Sequence, residues 1–318
     1  MKFSDFLKTL RRDYHLSQLQ MINKLALHNA LFSDLTVVTY SRWERGVSTP
    51  PLVKMLNIAK VFNLDIFEFL TTITFKPSQN QISAFDNLLK YYDNINNHYR
   101  ILNMKLNNET FHYFNSESEM VPEEILIQTK KRWDVILKLM QKPDDVYKVD
   151  CLESLRKSGT IHISSCIDPE TKEILAQGIY VLQDIQEEKC LLENFENKDM
   201  SIDKLVHVDD TSEKFLFIPI VAFHSSPWLS FNIYNLVKNF TKTNEVKKIY
   251  LLASQIKTFS KLRYLGFDIE RSIKSEIKNK IGNSYVKSEV SLHLISCDFD
   301  TFICNHGLIN LIKSYKDY

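Results

Sequence analysis

One short segment carries side chains that could take part in acid–base chemistry or bind a ligand. His224, Ser225 and Ser226 are adjacent, and Trp228 follows them at the start of an apolar, helix-like stretch. An imidazole beside a hydroxyl is the arrangement of a general base and a nucleophile. The same residues also form an ordinary helix N-terminus, in which a serine caps the helix and the histidine is a neighbour. We favour the capping interpretation and predict no catalytic residue here, while keeping the segment as a candidate ligand-binding site.

A second group, Cys297, Cys304 and His306, has the side chains of metal ligands. The seven-residue step between the two cysteines matches no zinc finger or ribbon, so we predict buried core residues and no metal. The five cysteines of the chain are odd in number and widely scattered. This distribution argues against a disulfide framework and favours a reducing compartment.

Several classes of protein are excluded by composition. The chain has six glycines in 318 residues and contains neither G-x-G-x-x-G nor G-x-x-x-x-G-K-[ST], so a glycine-rich phosphate loop is not expected. No apolar stretch approaches the roughly 18 residues of a membrane helix. Charged residues also interrupt the N-terminal stretch where a signal peptide would be apolar. We therefore predict a cytoplasmic protein with no membrane partner.

Charge is distributed unevenly along the chain. Residues 1 to 76 contain ten Lys and Arg against six Asp and Glu, a net charge of +4, whereas the whole chain has +1, which leaves −3 for the rest. A basic excess confined to one end is typical of a small nucleic-acid-binding domain, although a plain solvated surface would show it too.

The first 70 residues read as a run of short helices. Ser17 and Thr36 are good N-caps for the second and third helices. Gly46 can adopt the left-handed conformation that ends the third helix, and Pro50 and Pro51 open a fourth. The pattern predicts a compact all-α bundle of five helices.

These signals together resemble the helix-turn-helix domain of the lambda repressor and Cro class, known as the XRE family. The resemblance covers about residues 3 to 70. It is carried by Leu16-Ser17-Gln18, by the run from Ser41 to Gly46, by Pro51, and by "LDIFEFL" as the last helix. It implies that double-stranded DNA is the partner and that the third helix is the recognition helix in the major groove.

The resemblance also implies roles for individual residues. Val37, Val38 and Arg42 would face base edges. Side chains near phosphate would be those of Gln18, Thr36, Thr39 and Arg45, and Ser41 completes the set of DNA-binding candidates.

Other positions of the resemblance are structural. Glu44 would pair with Arg11, and Trp43 and Tyr40 would belong to the core. About eight extra residues around "LHNALFSD" separate the second and third helices, which changes the turn that sets the recognition helix in the groove. This insertion could be a dimer contact or a further backbone contact. A small helical interaction module is the alternative to DNA binding.

The second half of the chain alternates strands and helices, which predicts an α/β (α+β) domain. Two strands flank residues 168 to 172 as a hairpin, residues 214 to 223 form a buried strand, and "WLSFNIYNLVKNF" forms the next helix. The run from 247 to 270, ending in Leu265-Gly266-Phe267, resembles the late strand, helix and Leu-Gly-Phe segment of the GNAT acyltransferase fold. Residues 214 to 240 stand where that fold has its acyl-CoA-binding strand and helix.

Two departures from the GNAT pattern fall where its chemistry would be. The family's phosphate-binding loop has the pattern Q/R-x-x-G-x-G/A, whereas residues 224 to 229 have no glycine and include Pro227, which lacks an N–H. The position of the family's usual general acid, a tyrosine, is Leu262 here. We therefore predict that the chain is not an enzyme, and that its GNAT-like domain senses a ligand or dimerises.

The sequence thus predicts three regions: a helix-turn-helix domain at 1–76, a helical connector at 77–145, and a GNAT-like α/β domain at 146–318. The predicted function is a transcription regulator that binds DNA as a homodimer, without a cofactor but with a small-molecule effector such as an acyl-CoA-like compound. The alternative is an acyl-CoA-dependent N-acyltransferase with an N-terminal DNA-binding domain. A plasmid or phage maintenance protein, whose C-terminal half binds another protein, is a third possibility.

Overall fold

A computed structural model describes residues 1–97, 112–114, 121–139, 149–168, 170, 174–205, 208, 212–223, 226–242, 245–253, 256–281 and 284–315. The chain divides into two compact units. The helical unit contains Met1–Ser83, Leu236–Asn244 and Ile303–Tyr318. The sheet unit contains Ala84–Asn235 and Glu245–Phe302.

The helical unit begins with five α-helices, as the sequence predicts. They are α1 (Phe3–Asp13), α2 (Gln18–His28), α3 (Val37–Glu44), α4 (Leu52–Val61) and α5 (Ile66–Thr72), with α6 (Gln79–Asn97) beginning after them. Their apolar faces form one core, in which Leu7, Leu25, Tyr40, Leu56 and Leu70 are fully buried. The helices are short, so this shared burial rather than helix propensity stabilises them.

The predicted helix boundaries are confirmed by their caps. Ser17 forms a capping box with Gln20, and the Thr36 hydroxyl accepts a hydrogen bond from the Thr39 N–H at 3.2 Å. Gly46 has φ +71°, the left-handed conformation that terminates α3.

The extra residues between α2 and α3 are anchored to the core. They form a short 3-10 turn, Ala30–Phe32, in which the Phe32 side chain is fully buried. The Asn29 amide donates to Asn57 on α4 at 2.7 Å and its oxygen caps the turn. The inserted residues are therefore packed into the bundle and are not a loose surface loop.

A helix from the other end of the chain, α13 (His306–Ser314), also belongs to the helical unit. Lys313 Nζ donates to the Ile73 carbonyl at 2.7 Å, and His306 Nδ1 accepts the Ser78 N–H at 2.6 Å. The linear boundaries predicted at 76 and 145 did not foresee this, because a helix's sequence pattern does not say which distant helix it packs against.

The sheet unit is built on a mixed seven-stranded sheet, counted over the described residues, in the order β1-β2-β3-β4-β5-β7-β6. The strands are β1 (His112–Phe114), β2 (Ile161–Ile167), β3 (Ile174–Asp184), β4 (Lys214–Phe223), β5 (Val246–Ala253), β6 (Asp268–Ile281) and β7 (Ser284–Asp298). β4 and β5 are parallel and the other pairs are antiparallel. The predicted C-terminal α/β architecture is confirmed as a mixed α/β domain.

Helices connect and cover the strands. They are α7 (Glu123–Leu139), α8 (Val149–Lys157), α9 (Glu188–Glu196), α10 (Ser226–Phe240), α11 (Ile256–Leu262) and the short α12 (Phe299–Ile303). The main core joins α7, α8 and α9 to one sheet face, where Ile125, Trp133, Leu152, Phe195 and Phe217 pack together. On β2, Ser164 donates to Asn232 of α10 at 3.2 Å. Among the described residues, no helix is long and apolar enough to cross a membrane.

Candidate functional site

The two parallel strands at the centre of the sheet part from each other. β4 pairs with β5 from Lys214↔Val246 to Ile218↔Leu251. Beyond Ile218, β4 runs on to Phe223 while still paired with β3 on its other side. In the described part of the chain, the β5-facing edge of residues 219 to 223 has no strand partner. The β4–β5 ladder therefore ends at Ile218 and Leu251, and we call the unpaired stretch of β4 beyond it, with the end of β5, the opening.

A bulge in β4 lies where the strands part. Ile179 of β3 pairs with Ile220 and Val181 pairs with Phe217, so one extra β4 residue is accommodated between these pairs, at Ile218 and Pro219. Proline has no N–H and cannot continue a hydrogen-bonded ladder. The bulge and Pro219 lie where the β4–β5 pairing ends.

The unpaired edge of β4 has backbone groups that an extended polar chain can bind. Backbone N–H and C=O groups that face no neighbouring strand must be satisfied by another partner. An extended molecule with amide groups can pair with such an edge as an additional strand would. The parted strands thus suit a narrow, amide-containing ligand.

The predicted ligand-binding residues lie next to this opening in sequence. His224 and Ser225 lie outside the described residues, whereas Ser226 begins α10. Trp228 is only 2% exposed and its ring contacts that of Phe231 edge-on, with the centroids 6.5 Å apart. Trp228 thus contributes to the core as well as standing near the opening, and the ligand-binding role of these four residues stays a prediction.

The position that the GNAT resemblance assigns to a general acid is apolar. Leu262 is buried, whereas Tyr264, two residues later, is 66% exposed. Gly266 ends the following turn with φ +95°. This segment therefore provides no buried tyrosine at that position.

A charged network lies on the sheet face that α9 covers. Lys248 of β5 contacts both Glu188 and Glu270, at 2.7 and 2.9 Å. Tyr250 donates a hydrogen bond to Glu188, and Ser296 donates to Glu270 at 2.6 Å. These five residues, the Lys248 network, come from three strands and a helix. Strand alternation puts Lys248 and Tyr250 on one face of β5, but no sequence signal marks their partners on the other elements.

The network perturbs the pKa values of its members. Burial alone would raise the pKa of Glu188, but hydrogen bonds from Lys248 and Tyr250 outweigh it and the pKa lies below its usual value. The hydrogen bond from Ser296, followed by that from Lys248, holds the pKa of Glu270 below its usual value against burial. Both carboxyl groups are therefore held ionised around Lys248.

The helix α3, which the resemblance assigns to DNA recognition, has one exposed face and one buried face. Val37 and Val38 are 44% and 69% exposed, and Arg42 is exposed on the same helix, with Arg45 as its C-cap. Tyr40, Trp43 and Glu44 are buried, which confirms the predicted core role of the two aromatic residues. The exposed residues are the ones that the resemblance assigns to DNA.

A buried ion pair fixes α3 to α1, as predicted. Glu44, which is 3% exposed, accepts a hydrogen bond from Arg11 Nε at 2.5 Å. This hydrogen bond outweighs burial and raises the pKa of Arg11. Gln18 Nε2 also donates to Glu44, at 2.6 Å, so its amide already has a partner within the bundle.

Side chains of the remaining DNA-binding candidates bond mainly to one another. The Thr36 and Thr39 hydroxyls lie 3.0 Å apart, and Arg45 Nε donates to the Ser41 carbonyl at 3.3 Å.

The five cysteines are free thiols, and burial raises the pKa of Cys297 to about 12. Over the residues that the structure describes, no group of three His, Cys, Asp or Glu could hold a metal ion.

Comparison with known proteins shows acetyltransferases among the solved structures. No family model and no curated protein matches the chain. Arabidopsis thaliana NAA60 in complex with acetyl-CoA is 10% identical with a TM-score of 0.34, and the match covers 60% of this chain and 99% of that one. Spermidine N-acetyltransferase from Vibrio cholerae, in complex with CoA and spermine, is 10% identical with a TM-score of 0.34, over 62% and 99%. Mosquito arylalkylamine N-acetyltransferase like 5b is 10% identical with a TM-score of 0.36, over 59% and 100%.

These comparisons correct one prediction. The chain was expected not to be an enzyme, on the evidence of the segment from 224 to 229 and of Leu262. That prediction is wrong, because the structures similar to the C-terminal region are acetyltransferases and two of the three are bound to acetyl-CoA or CoA. The same structures give no support to the helix-turn-helix resemblance, which stays a prediction.

Proposed function

We propose that the chain is an acyl-CoA-dependent N-acyltransferase that carries a DNA-binding helical bundle. The observation that carries the enzymatic part is the opening between β4 and β5 beyond Ile218 and Leu251. Pro219 stops the ladder there and the open edge of β4 continues for several residues. The pantetheine arm of CoA, a thin chain with two amide groups, has the shape and polarity that this edge would bind.

The proposed reaction needs little proton chemistry from the missing tyrosine. A neutral amine attacks the thioester carbonyl through its lone pair, and the C–N bond forms. The C–S bond breaks, the sulfur leaves with the bonding electrons as a thiolate, and the nitrogen loses its extra proton to water. A thiol has an ordinary pKa of about 8.5, so the thiolate is a competent leaving group near neutral pH. A general acid contributes roughly 100- to 10,000-fold to rate. With Leu262 in that position, we expect a slow enzyme that takes its proton from water.

Binding of the phosphate groups should be weak. The resemblance places the pyrophosphate at the start of α10, where Ser226 and Pro227 provide fewer backbone N–H groups than a glycine-rich loop. Pantetheine should therefore retain measurable affinity for the full-length protein, and CoA should displace it with an affinity close to that of pantetheine itself. Competition calorimetry with pantetheine and CoA tests this. Displacement by CoA at far lower concentrations than pantetheine itself needs would contradict the weak phosphate binding, and absence of pantetheine binding would contradict the proposed site.

Turnover can be tested directly. The full-length protein is incubated with acetyl-CoA and either spermine or an arylalkylamine, the amines named for the similar enzymes. Mass spectrometry of the acetylated amine is preferable to a thiol reagent, because Cys190 is exposed and would react. Acetylated product above a boiled-protein control supports the proposal. Absence of both product and pantetheine binding would refute it.

The DNA-binding part of the proposal is supported by α3. Its exposed face carries Val37, Val38 and Arg42, while its buried face is fixed through Glu44. A library selection with full-length protein at two salt concentrations should enrich an inverted repeat with half-sites about one helical turn apart, as for a homodimer. Arg42→Ala should relax preference at one base pair by about 1 to 3 kcal/mol, whereas Arg45→Ala should weaken binding to all sequences.

Equal loss of affinity on all sequences for Arg42→Ala would show that α3 is not placed as proposed.

Unpaired thiols fit a reducing compartment, so we infer the cytoplasm as the location. There the enzyme would acylate an amine close to the DNA that its helical unit binds.

A further inference from the structure

The helical unit contains a cavity beside the end of the recognition helix. Its volume is about 680 Å³, within the range of about 300 to 1,000 Å³ that small-molecule sites occupy. Its walls are the start of α1, the segment after α3, residues 74 to 76, and the start of α13. Both ends of the chain therefore contribute to it.

Positive charge gathers around this cavity. Lys2, Lys8, Arg45 and Lys76 line it, and Asp5 is the one acidic residue among the described residues of the wall. In the described structure, none of these four cationic side chains forms an ion pair. Four unpaired cations around one recess repel one another, and a bound anion would relieve that repulsion.

Hydrogen-bond donors are available in the same walls. α1 has eleven residues and begins at the cavity, and its N-cap residue Lys2 provides no side-chain cap. Hydroxyl groups come from Ser48 and Thr49. His306 accepts the Ser78 N–H at Nδ1, so its neutral ring carries the proton at Nε2 as a further donor. This combination of cations, hydroxyls and a helix N-terminus is the chemistry that binds phosphate.

We propose that this cavity binds a small phosphate-bearing anion, of the size of a nucleotide or a sugar phosphate. The size is set by the cavity volume, and the charge by the excess of four cations over one carboxylate. Trp43, Arg45 and Gly46 connect the site to α3. An anion that engages Arg45 withdraws it from a DNA phosphate, so the ligand lowers DNA affinity. This consequence, unlike the site itself, rests on the proposed DNA binding.

Calorimetry with sodium pyrophosphate tests the site without DNA. The full-length protein is titrated at constant ionic strength in chloride, and one saturable site is expected. Lys8→Gln with Lys76→Gln should raise the Kd by about tenfold or more, because two charge-assisted contacts are lost. Lys54→Gln is the matched control, since Lys54 is a lysine of the same unit that does not line the cavity. Its Kd should stay within about twofold of the wild type.

Thermal unfolding of each variant shows whether the bundle is intact. Absence of saturable pyrophosphate binding by the wild-type protein overturns the proposal. Equal weakening in Lys54→Gln also overturns it, because the effect would then be one of general charge.

A second arm separates this site from the proposed function. Selected DNA is titrated with and without pyrophosphate at matched ionic strength, and a saturable loss of affinity that disappears in the double variant is expected. Pyrophosphate binding without any DNA binding would refute the DNA-binding proposal and leave the cavity site standing. DNA binding weakened by the double variant, with no pyrophosphate binding by the wild type, would mean that the cavity holds the DNA backbone and would overturn the inference.

Discussion

The helical and sheet units differ in where their decisive features are encoded. In the helical unit, the caps Ser17 and Thr36 and the stop at Gly46 are local signals that the structure reproduces. In the sheet unit, the parting of β4 from β5 depends on pairings between residues more than 30 positions apart. Capping residues therefore predict where single helices begin and end. The place where two strands stop pairing cannot be read from such local signals, because it depends on both strands.

The comparison also explains why two local departures led to a wrong prediction. A segment without glycine and a leucine at position 262 were weighed as the loss of chemistry. The end of the β4–β5 pairing lies at a bulge and at Pro219, neither of which the sequence pattern assigns to a function.

The largest expected effect is a loss of stability when the packing of α13 on the first five helices is weakened. Such a loss would show that the helical unit also depends on residues far away in the sequence. Ile312 on α13 is fully buried, and Ile312→Ala should lower the free energy of unfolding by about 3 to 4 kcal/mol. Hydrogen exchange of the α5 amides should accelerate, because α13 packs on α5. Val38→Ala, at a 69% exposed position, is the control and should change stability by less than about 0.5 kcal/mol. Unchanged α5 exchange in Ile312→Ala would mean that the bundle is complete without α13.

A second test concerns the Lys248 network of the sheet unit. Lys248→Met leaves Glu188 and Glu270 without their shared cation, and should cost about 2 to 3 kcal/mol at pH 7. Lys247→Met is a matched control one residue away, since Lys247 forms only an exposed pair with Glu213 at 3.3 Å. That change should cost less than about 1 kcal/mol.

The sign of the pH dependence follows from the two carboxyl groups. Their pKa values are lowered in the folded protein, so their stabilisation is present above pH 4.5 and is lost as the pH falls through the lowered values. The difference between wild type and Lys248→Met should therefore shrink in acid. Chemical denaturation at pH 7 and pH 3.5 measures it, and an equal difference at both would show that the carboxylates are not the cause.

A smaller effect is expected at Gly178 of β3. A Cβ there would overlap the Tyr180 Oη and Cζ atoms, so Gly178→Ala should destabilise the protein by about 1.5 kcal/mol. In a Tyr180→Leu background the same change should cost less, which a double-mutant cycle measures. Additive costs would show that Tyr180 does not make this position require glycine.

The smallest effect tests a purely local signal. Thr36→Ala removes the oxygen that caps α3 and should cost about 1 kcal/mol. Thr36→Ser keeps that oxygen and should cost only a few tenths of a kcal/mol. Equal thermal destabilisation by both changes would indicate loss of the threonine methyl group rather than of the cap.

Much of the fold could be predicted from the sequence, for physical reasons that vary by element. The short helices, the Arg11–Glu44 pair and the hairpin of β2 and β3 follow from periodicity, capping and a family motif. The helices α8 and α9 and the Lys248 network were missed. Glu188 and Glu270 lie 60 and 22 residues from Lys248 in the sequence. No local sequence pattern predicts that these three residues come into contact.

Residues 306 to 314 complete a bundle that starts at Phe3, which has a consequence for biosynthesis. Chains emerge from the ribosome from the N-terminus, and neighbouring segments begin to fold as they emerge. The first five helices must therefore wait, with part of their apolar surface uncovered, until α13 has been translated. A ribosome that stalls before α13 would release a product whose helical unit lacks this helix, so the complete bundle forms only after α13 has been translated.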